Sequence, residues 1–503
     1  MTDESPCPHS LTLGSALTPA ALTLAATPLD IEFTEAASAA MKQGSAFVKT
    51  VLDEGRPVYG ATTGFGALVG FDGRESAADQ CDNVLGHLTV GQGPELAPDV
   101  ARAVMLARLW SLSRGLSGVS DAVVHALAAM LATGFAPAIP SLGSVGASGD
   151  LIPLAHAVQS LRGVGHAYVD GVRMPATEAL AVVGLDPLRL DGRDALALVN
   201  GISVTSAVAG LAAHSAARSV RTAVALVALL ADLLGCAPAF LAPPLLAAFG
   251  HPEVEAVGAH LSRRLTGLVP VEGRPLQEPY SIRCTPQLLG AADSALSWAA
   301  EVVTRDLNGV SDNPLFFAEE DLVAHGGNFF GQPSAFAADT ISSALTQMGN
   351  LAERQIDLLV DPHRNGGRPP MLSTDPGKHH AIQGLQVLAT ATVVSMRRNC
   401  VPAAMQSVPT NMHNQDVVPF GTQAALTAFE QSRSLRLLHG CLGVALVQAA
   451  HTGTRKPTAP ANVALLDALV DRVAPIEQDR ILDADIRAAA DVLDGLFDRE
   501  QAI

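Results

Sequence analysis

The stretch Gly143–His156 reads GSVGASGDLIPLAH and sets Ala147, Ser148 and Gly149 ahead of an acid and an apolar run. Gly149 offers an unhindered backbone nitrogen. When a strained turn brings that nitrogen onto the carbonyl carbon of Ala147, a ring closes and water leaves. Loss of the Ser148 hydroxyl, with its Cα hydrogen, then gives an alkene conjugated to the ring. The product is a strong electrophile made from the backbone. A side chain at the third position would crowd the attack. The plainer reading is a glycine-rich turn whose Ser148 or Asp150 caps the following helix. For a bare Ala-Ser-Gly the plainer reading prevails, because the tripeptide is common by chance. A phosphate loop is excluded, because no G-x-x-x-x-G-K-[ST] spacing occurs.

Most other unusual residues fall in loops rich in Gly, Pro and Asn at 59–73, 138–150, 272–286, 308–333, 361–378 and 407–422. Helices must position them. In 120–134, Ser120 is placed to cap a helix and Gly134 to end it, with Val123, Val124, Leu127, Met130 and Leu131 on one stripe. In 334–360, Ile341, Leu345, Met348, Ala352, Ile356 and Leu359 keep the same period, and 287–310 reads alike. One hairpin is predicted at 165–175, with Asp170-Gly171 at its turn. The fold class is therefore mainly α.

The 503 residues are 48% hydrophobic and only 16% charged, with a mean hydropathy of +0.28. So little charge implies a large particle or an oligomer that hides surface. A net charge of −17 disfavours nucleic acid and anionic membranes as partners. The run 222–249 is strongly apolar, but Asp232 and three prolines interrupt it, so a core helix and a turn are expected rather than a membrane span. The six cysteines are scattered, with no C-x-x-C pair. The first residues, MTDESPCPHS, show no signal-peptide pattern, and a cytoplasmic protein is expected. Lys378-His379-His380 reads as a solvated loop, and no metal site is expected.

Taken with its neighbours, the Ala-Ser-Gly stretch resembles the signature of the aromatic amino acid ammonia-lyases and aminomutases. YGATTGFG (59–66), LVNGIS (198–203), LQEPYSIRCTPQLLG (276–290), VSDNPLFF (310–317), GGNFFGQ (326–332) and NQDVV (414–418) follow in that family's order. The resemblance implies a cofactor, 4-methylidene-imidazol-5-one (MIO), formed from Ala147, Ser148 and Gly149. It implies that Tyr59, in a lid loop, takes the β-proton, its pKa lowered by neighbouring donors. Tyr280 is to face the MIO and the substrate amine, and Arg283 to hold the substrate carboxylate. Asn200 is to bond the MIO oxygen or the substrate, while Gln277, Asn313 and Phe329 complete the wall. It further implies a homotetramer with sites built from three subunits. A smaller N-terminal domain (1–200) would carry the lid and the MIO loop. A long central helical bundle and C-terminal helices (201–503) would follow.

Two positions bear on the substrate. Histidine ammonia-lyases show Ser-His after the first motif and Gln-Glu-Asp near the end. This chain has His87-Leu88 and Asn414-Gln415-Asp416, which resemble the tyrosine ammonia-lyases and tyrosine aminomutases. His87 is suited to bond a phenol hydroxyl. The expected partner is a small aromatic amino acid, tyrosine first, giving coumarate. A 2,3-aminomutase, a histidine or phenylalanine ammonia-lyase and a catalytically silent helical scaffold are the alternatives. Gln383 stands where the family has an apolar pocket residue, and Pro419-Phe420 replaces Ser-Met.

Overall fold

Long helices with closely spaced small and branched apolar residues dominate the chain. The computed structural model describes residues 9–74 and 76–500, with side chains to residue 496. Cys7 lies outside the described residues. The helices expected from periodicity form at Asp121–Leu131, Thr285–Asn308 and Gln332–Val360. All five stripe residues of the first are fully buried, as are Ile341, Leu345, Ile356 and Leu359 of the third. The apolar run forms the end of helix Ser203–Leu234 and the turns that follow it. A segment containing this helix is apolar enough by composition to cross a membrane, but 94% of its apolar window is buried inside the protein.

Ser120 does not cap its helix with its side chain. Its N–H and hydroxyl both donate to Asp194, at 2.8 Å each, so a distant carboxylate ties down the helix start. The helix ends at Ala132 rather than at Gly134. Gly134 is needed for space, since a Cβ there would lie 2.2 Å from an Asp170 carboxylate oxygen.

The chain divides into two compact units. The first contains the described residues up to His214, with Ala299–Asp339 and Pro402–Leu426. The second contains Ser215–Trp298, Thr340–Val401 and the described residues from Thr427 onward.

The first unit holds all nine short strands found among the described residues, more than the single hairpin expected. That hairpin pairs His166–Val169 with Val172–Pro175 through Asp170 (φ 48°) and Gly171 (φ 81°), the two left-handed positions of a tight hairpin turn. Phe135–Pro137 adds a third strand. The other strands are three- or four-residue pairs, too short to show a period in the sequence. Within this unit the buried guanidinium of Arg102 donates to the carbonyls of Ala25, Thr27, Leu131, Thr133 and Phe135. It thereby satisfies carbonyls where a helix ends, which burial would otherwise leave unpaired. Burial lowers its pKa to about 10, so it stays charged at neutral pH.

In the second unit, Asp232 is fully buried. It accepts from the N–H groups of Thr458 (3.0 Å) and Ala459 (2.8 Å) and from Asn462 Nδ2 (3.1 Å). These donors surround the start of helix Pro460–Val470, where the helix dipole favours a negative charge. The acid that breaks the apolar run is therefore a structural anchor.

Candidate active site

The candidate site lies in the first unit, and loops carry it. The Ala147–Gly149 turn is fixed from below by Asp150, which is fully buried. Its carboxylate accepts from Thr205 N (2.8 Å), Thr205 Oγ1 (3.0 Å), Thr422 Oγ1 (2.6 Å) and Ser144 Oγ (3.0 Å). Asp150 N donates to Gly201 O at 2.7 Å. Burial raises the Asp150 pKa, and these donors oppose the rise. Asp150 stands at the start of helix Leu151–Leu161 but gives it no side-chain cap. The capping reading of this loop therefore fails: the carboxylate joins three segments of chain instead.

Gly149 has φ +72°, and a Cβ there would lie 2.4–2.5 Å from Gly201 backbone atoms. No side chain fits. Ala147 is buried, whereas Ser148 is half-exposed and lines a cavity of about 390 Å³. The three residues fit the ring-forming chemistry in that the third position admits only glycine and Ser148 lines the cavity. Phe420 N donates to Val145 O at 3.1 Å, so the unusual Pro419-Phe420 segment packs on this same loop.

Tyr59, His87, Leu88, Asn200, Asn313, Phe329 and Gln415 line the cavity with Ser148. The Tyr59 hydroxyl accepts from Gly66 N–H at 2.8 Å. Its pKa is raised, because burial outweighs that one donor. This differs from the expected lowering, since the lid brings a single N–H and no cation to the phenol. His87 stands in the last turn of helix Ala77–Leu88, with Nδ1 2.7 Å from Asn83 O. A carbonyl only accepts, so Nδ1 carries a hydrogen, which leaves Nε2 as the ring nitrogen available to a ligand. Asn200 is buried at the end of helix Asp194–Val199. Its Nδ2 donates to Asn313 O at 2.9 Å, while Oδ1 is buried without a partner. Gln415 Nε2 donates to Ser148 Oγ at 2.7 Å.

Gln277, Tyr280, Arg283 and Gln383 belong to the second unit and do not line this cavity. Gln277 and Gln383 are exposed, and Tyr280 is 72% exposed. The Arg283 guanidinium lies 4.6 Å from the centre of the Tyr280 ring, and it forms no ion pair among the described residues. Gln383 starts helix Gln383–Asn399 on the surface, so within this chain it is not a pocket residue. Lys378 pairs with Asp375 at 2.9 Å, and His380 with Asp479 at 3.1 Å. Asn414, noted in sequence beside Gln415, also lines the cavity, as do Phe65 and Asn411, to which the sequence assigned no role. Asn411 and Asn414 sit in a Gly/Pro/Asn loop beside Gln415, which was the available signal.

The profile of the family described as aromatic amino acid lyase matches residues 17–471, and the chain belongs to that family. It is therefore an enzyme of the carbon–nitrogen lyase class. The chain is 40% identical over 464 residues to a tyrosine ammonia-lyase of Cereibacter sphaeroides, with 88% of each chain covered. It is 37% identical over 457 residues to a histidine ammonia-lyase of Symbiobacterium thermophilum, with 90% of each covered. The tyrosine aminomutase structure from Streptomyces globisporus superposes with a TM-score of 0.92 at 32% identity, covering 99% of this chain and 98% of that one.

Proposed function

We propose that this protein is a MIO-dependent ammonia-lyase that eliminates ammonia from an aromatic L-amino acid, tyrosine first, giving coumarate. One observation carries the reading: Ser148, beside a Gly149 position that admits no side chain, opens onto the same cavity as Tyr59 and His87. Ala147, Ser148 and Gly149 would form the MIO, which when present supplies an electrophilic carbon that makes the substrate amine a better leaving group.

The remaining work falls to side chains. Tyr59, as phenolate, takes the β-proton. Asn200 Oδ1, the buried acceptor, receives a hydrogen from the substrate amine. Oδ1 only accepts, so a bond from Asn200 to the MIO oxygen would come from the second hydrogen of Nδ2. His87 Nε2 accepts the phenol hydroxyl of tyrosine. Leu88 and Phe329 pack on the ring, and Asn313 holds Asn200.

The substrate carboxylate calls for a cation, and none lines the cavity. In our reading, segment 277–283 of a second copy supplies Gln277, Tyr280 and Arg283, and the enzyme is a homotetramer. The exposure of Tyr280, the unpaired Arg283 and the low charge content support this. Gln383 would face a site only in such an assembly.

The likeness to a tyrosine aminomutase supports a second reading, in which ammonia re-adds at the β-carbon. Incubation with tyrosine, with coumarate and β-tyrosine separated by chromatography, tests both. Coumarate alone supports the lyase and β-tyrosine the mutase. Neither product would overturn the tyrosine assignment.

A further inference from the structure

The segment that carries Gln415 begins with an unusual turn. Asn411, Met412 and His413 all have left-handed backbones, with φ of 52°, 55° and 61°. None is glycine, and each such residue is strained. The turn is closed by Thr410 N to Gln415 O (3.0 Å), Gln415 N to Thr410 O (3.3 Å) and Asn414 N to Asn411 O (3.0 Å). Asparagine tolerates this conformation better than most residues.

What the turn holds is the lid. Asn411 Oδ1 accepts from Ala67 N at 3.4 Å. Gly66 approaches so closely that a Cβ there would lie 2.2 Å from Asn411 Nδ2. Gly66 is also the residue whose N–H reaches the Tyr59 hydroxyl at 2.8 Å. The Asn411 amide, the Gly66-Ala67 turn and the Tyr59 oxygen thus form one connected path within the first unit.

We propose that Asn411 is a positioning residue that holds the Gly66 N–H on the Tyr59 oxygen and so favours the phenolate. The proposal rests on the reading of Tyr59 as the base. A donated hydrogen bond stabilises a phenolate more than a phenol. Burial opposes ionisation of Tyr59, and the Gly66 N–H is what favours it. The Phe65 ring stands edge-on to Tyr59 at 6.4 Å. His325 Nε2 accepts the Tyr59 backbone N–H at 3.3 Å, and burial holds the His325 pKa below its usual value. Besides Asn411, the polar side chains that line the cavity with Tyr59 are His87, Ser148, Asn200, Asn313, Asn414 and Gln415.

The test is the pH dependence of kcat/KM for tyrosine in the full-length enzyme, comparing wild type with Asn411→Gly and Tyr59→Phe. Glycine keeps the left-handed turn and removes only the amide, so the fold is preserved. The acid limb of the profile should move to higher pH by about one unit, roughly a tenfold loss below it. KM and the tyrosine/phenylalanine ratio should stay close to wild type. Intact mass should show the same loss of two waters as in wild type. An unmoved acid limb in Asn411→Gly overturns the proposal. So does a changed tyrosine/phenylalanine ratio without a moved limb, which would make Asn411 a ring contact. Full activity in Tyr59→Phe would instead overturn the base reading on which the proposal depends.

Discussion

Gln415 Nε2 donates to Ser148 Oγ across 2.7 Å, joining the end of one loop to the reacting position of another. The resemblance to known lyases suggests that position 415 faces the substrate ring. The hydrogen bond sets the amide beside the reacting atoms instead. Ring formation removes the Ser148 hydroxyl and frees the amide, which stays beside the reacting carbon and away from the substrate ring. Gln415→Ala should therefore lower kcat for tyrosine by roughly tenfold, the loss of one hydrogen bond that the freed amide makes to charge developing at the reacting centre. The tyrosine/phenylalanine ratio of kcat/KM should stay within about twofold. A large change in that ratio with kcat intact would return Gln415 to the ring.

His87 should behave in the opposite way. Asn83 O fixes the hydrogen on Nδ1, so Nε2 is left to accept a phenol hydroxyl. Phenylalanine leaves that acceptor unpaired, and tyrosine should be preferred. His87→Phe should shift the preference toward phenylalanine by about 1–3 kcal/mol. Steady-state kinetics on both amino acids checks this. An unmoved ratio would mean that the imidazole does not read the ring.

Tyr59→Phe removes one oxygen from the cavity and should lower kcat by about 10²–10⁴-fold, the usual contribution of a general base. The wild-type pH profile follows from the same residue. Burial raises the Tyr59 pKa, and the working form is the phenolate, so kcat/KM should climb as pH rises into the alkaline range. A profile falling from pH 7 to pH 9 would remove Tyr59 from the role.

Gly149→Ala addresses the turn. The new Cβ would meet Gly201 backbone at 2.4–2.5 Å, at a left-handed φ. The backbone conformation alone costs about 1–2 kcal/mol, and the clash adds to it. The variant should melt lower than wild type and keep the full mass of its unmodified sequence. A variant that loses two waters as wild type does would show that the turn tolerates a side chain.

The long helices were legible because their apolar residues repeat at helical spacing and bury on one face, as Val123, Leu127 and Met130 do. The short strand pairs were not, since three or four residues show no period. That Tyr59, His87, Ser148 and Asn200 would line one cavity was legible through loop motifs and not through periodicity. Their partners were less so. Nothing local to Asp150 says that its carboxylate serves Thr205 and Thr422, which are far away in sequence. Nothing near Ser120 says that Asp194 takes its hydroxyl. Asn411 escaped notice because its left-handed turn uses no glycine, the residue that usually marks one.

Release of coumarate from tyrosine by the wild-type enzyme, followed beside Ser148→Ala, tests the central claim most directly. The alkene carbon would come from the Ser148 side chain, and replacing it with alanine leaves the surrounding fold in place. Steady release by wild type and almost none by a folded Ser148→Ala is the predicted result. Turnover of Ser148→Ala at the wild-type rate would contradict the account.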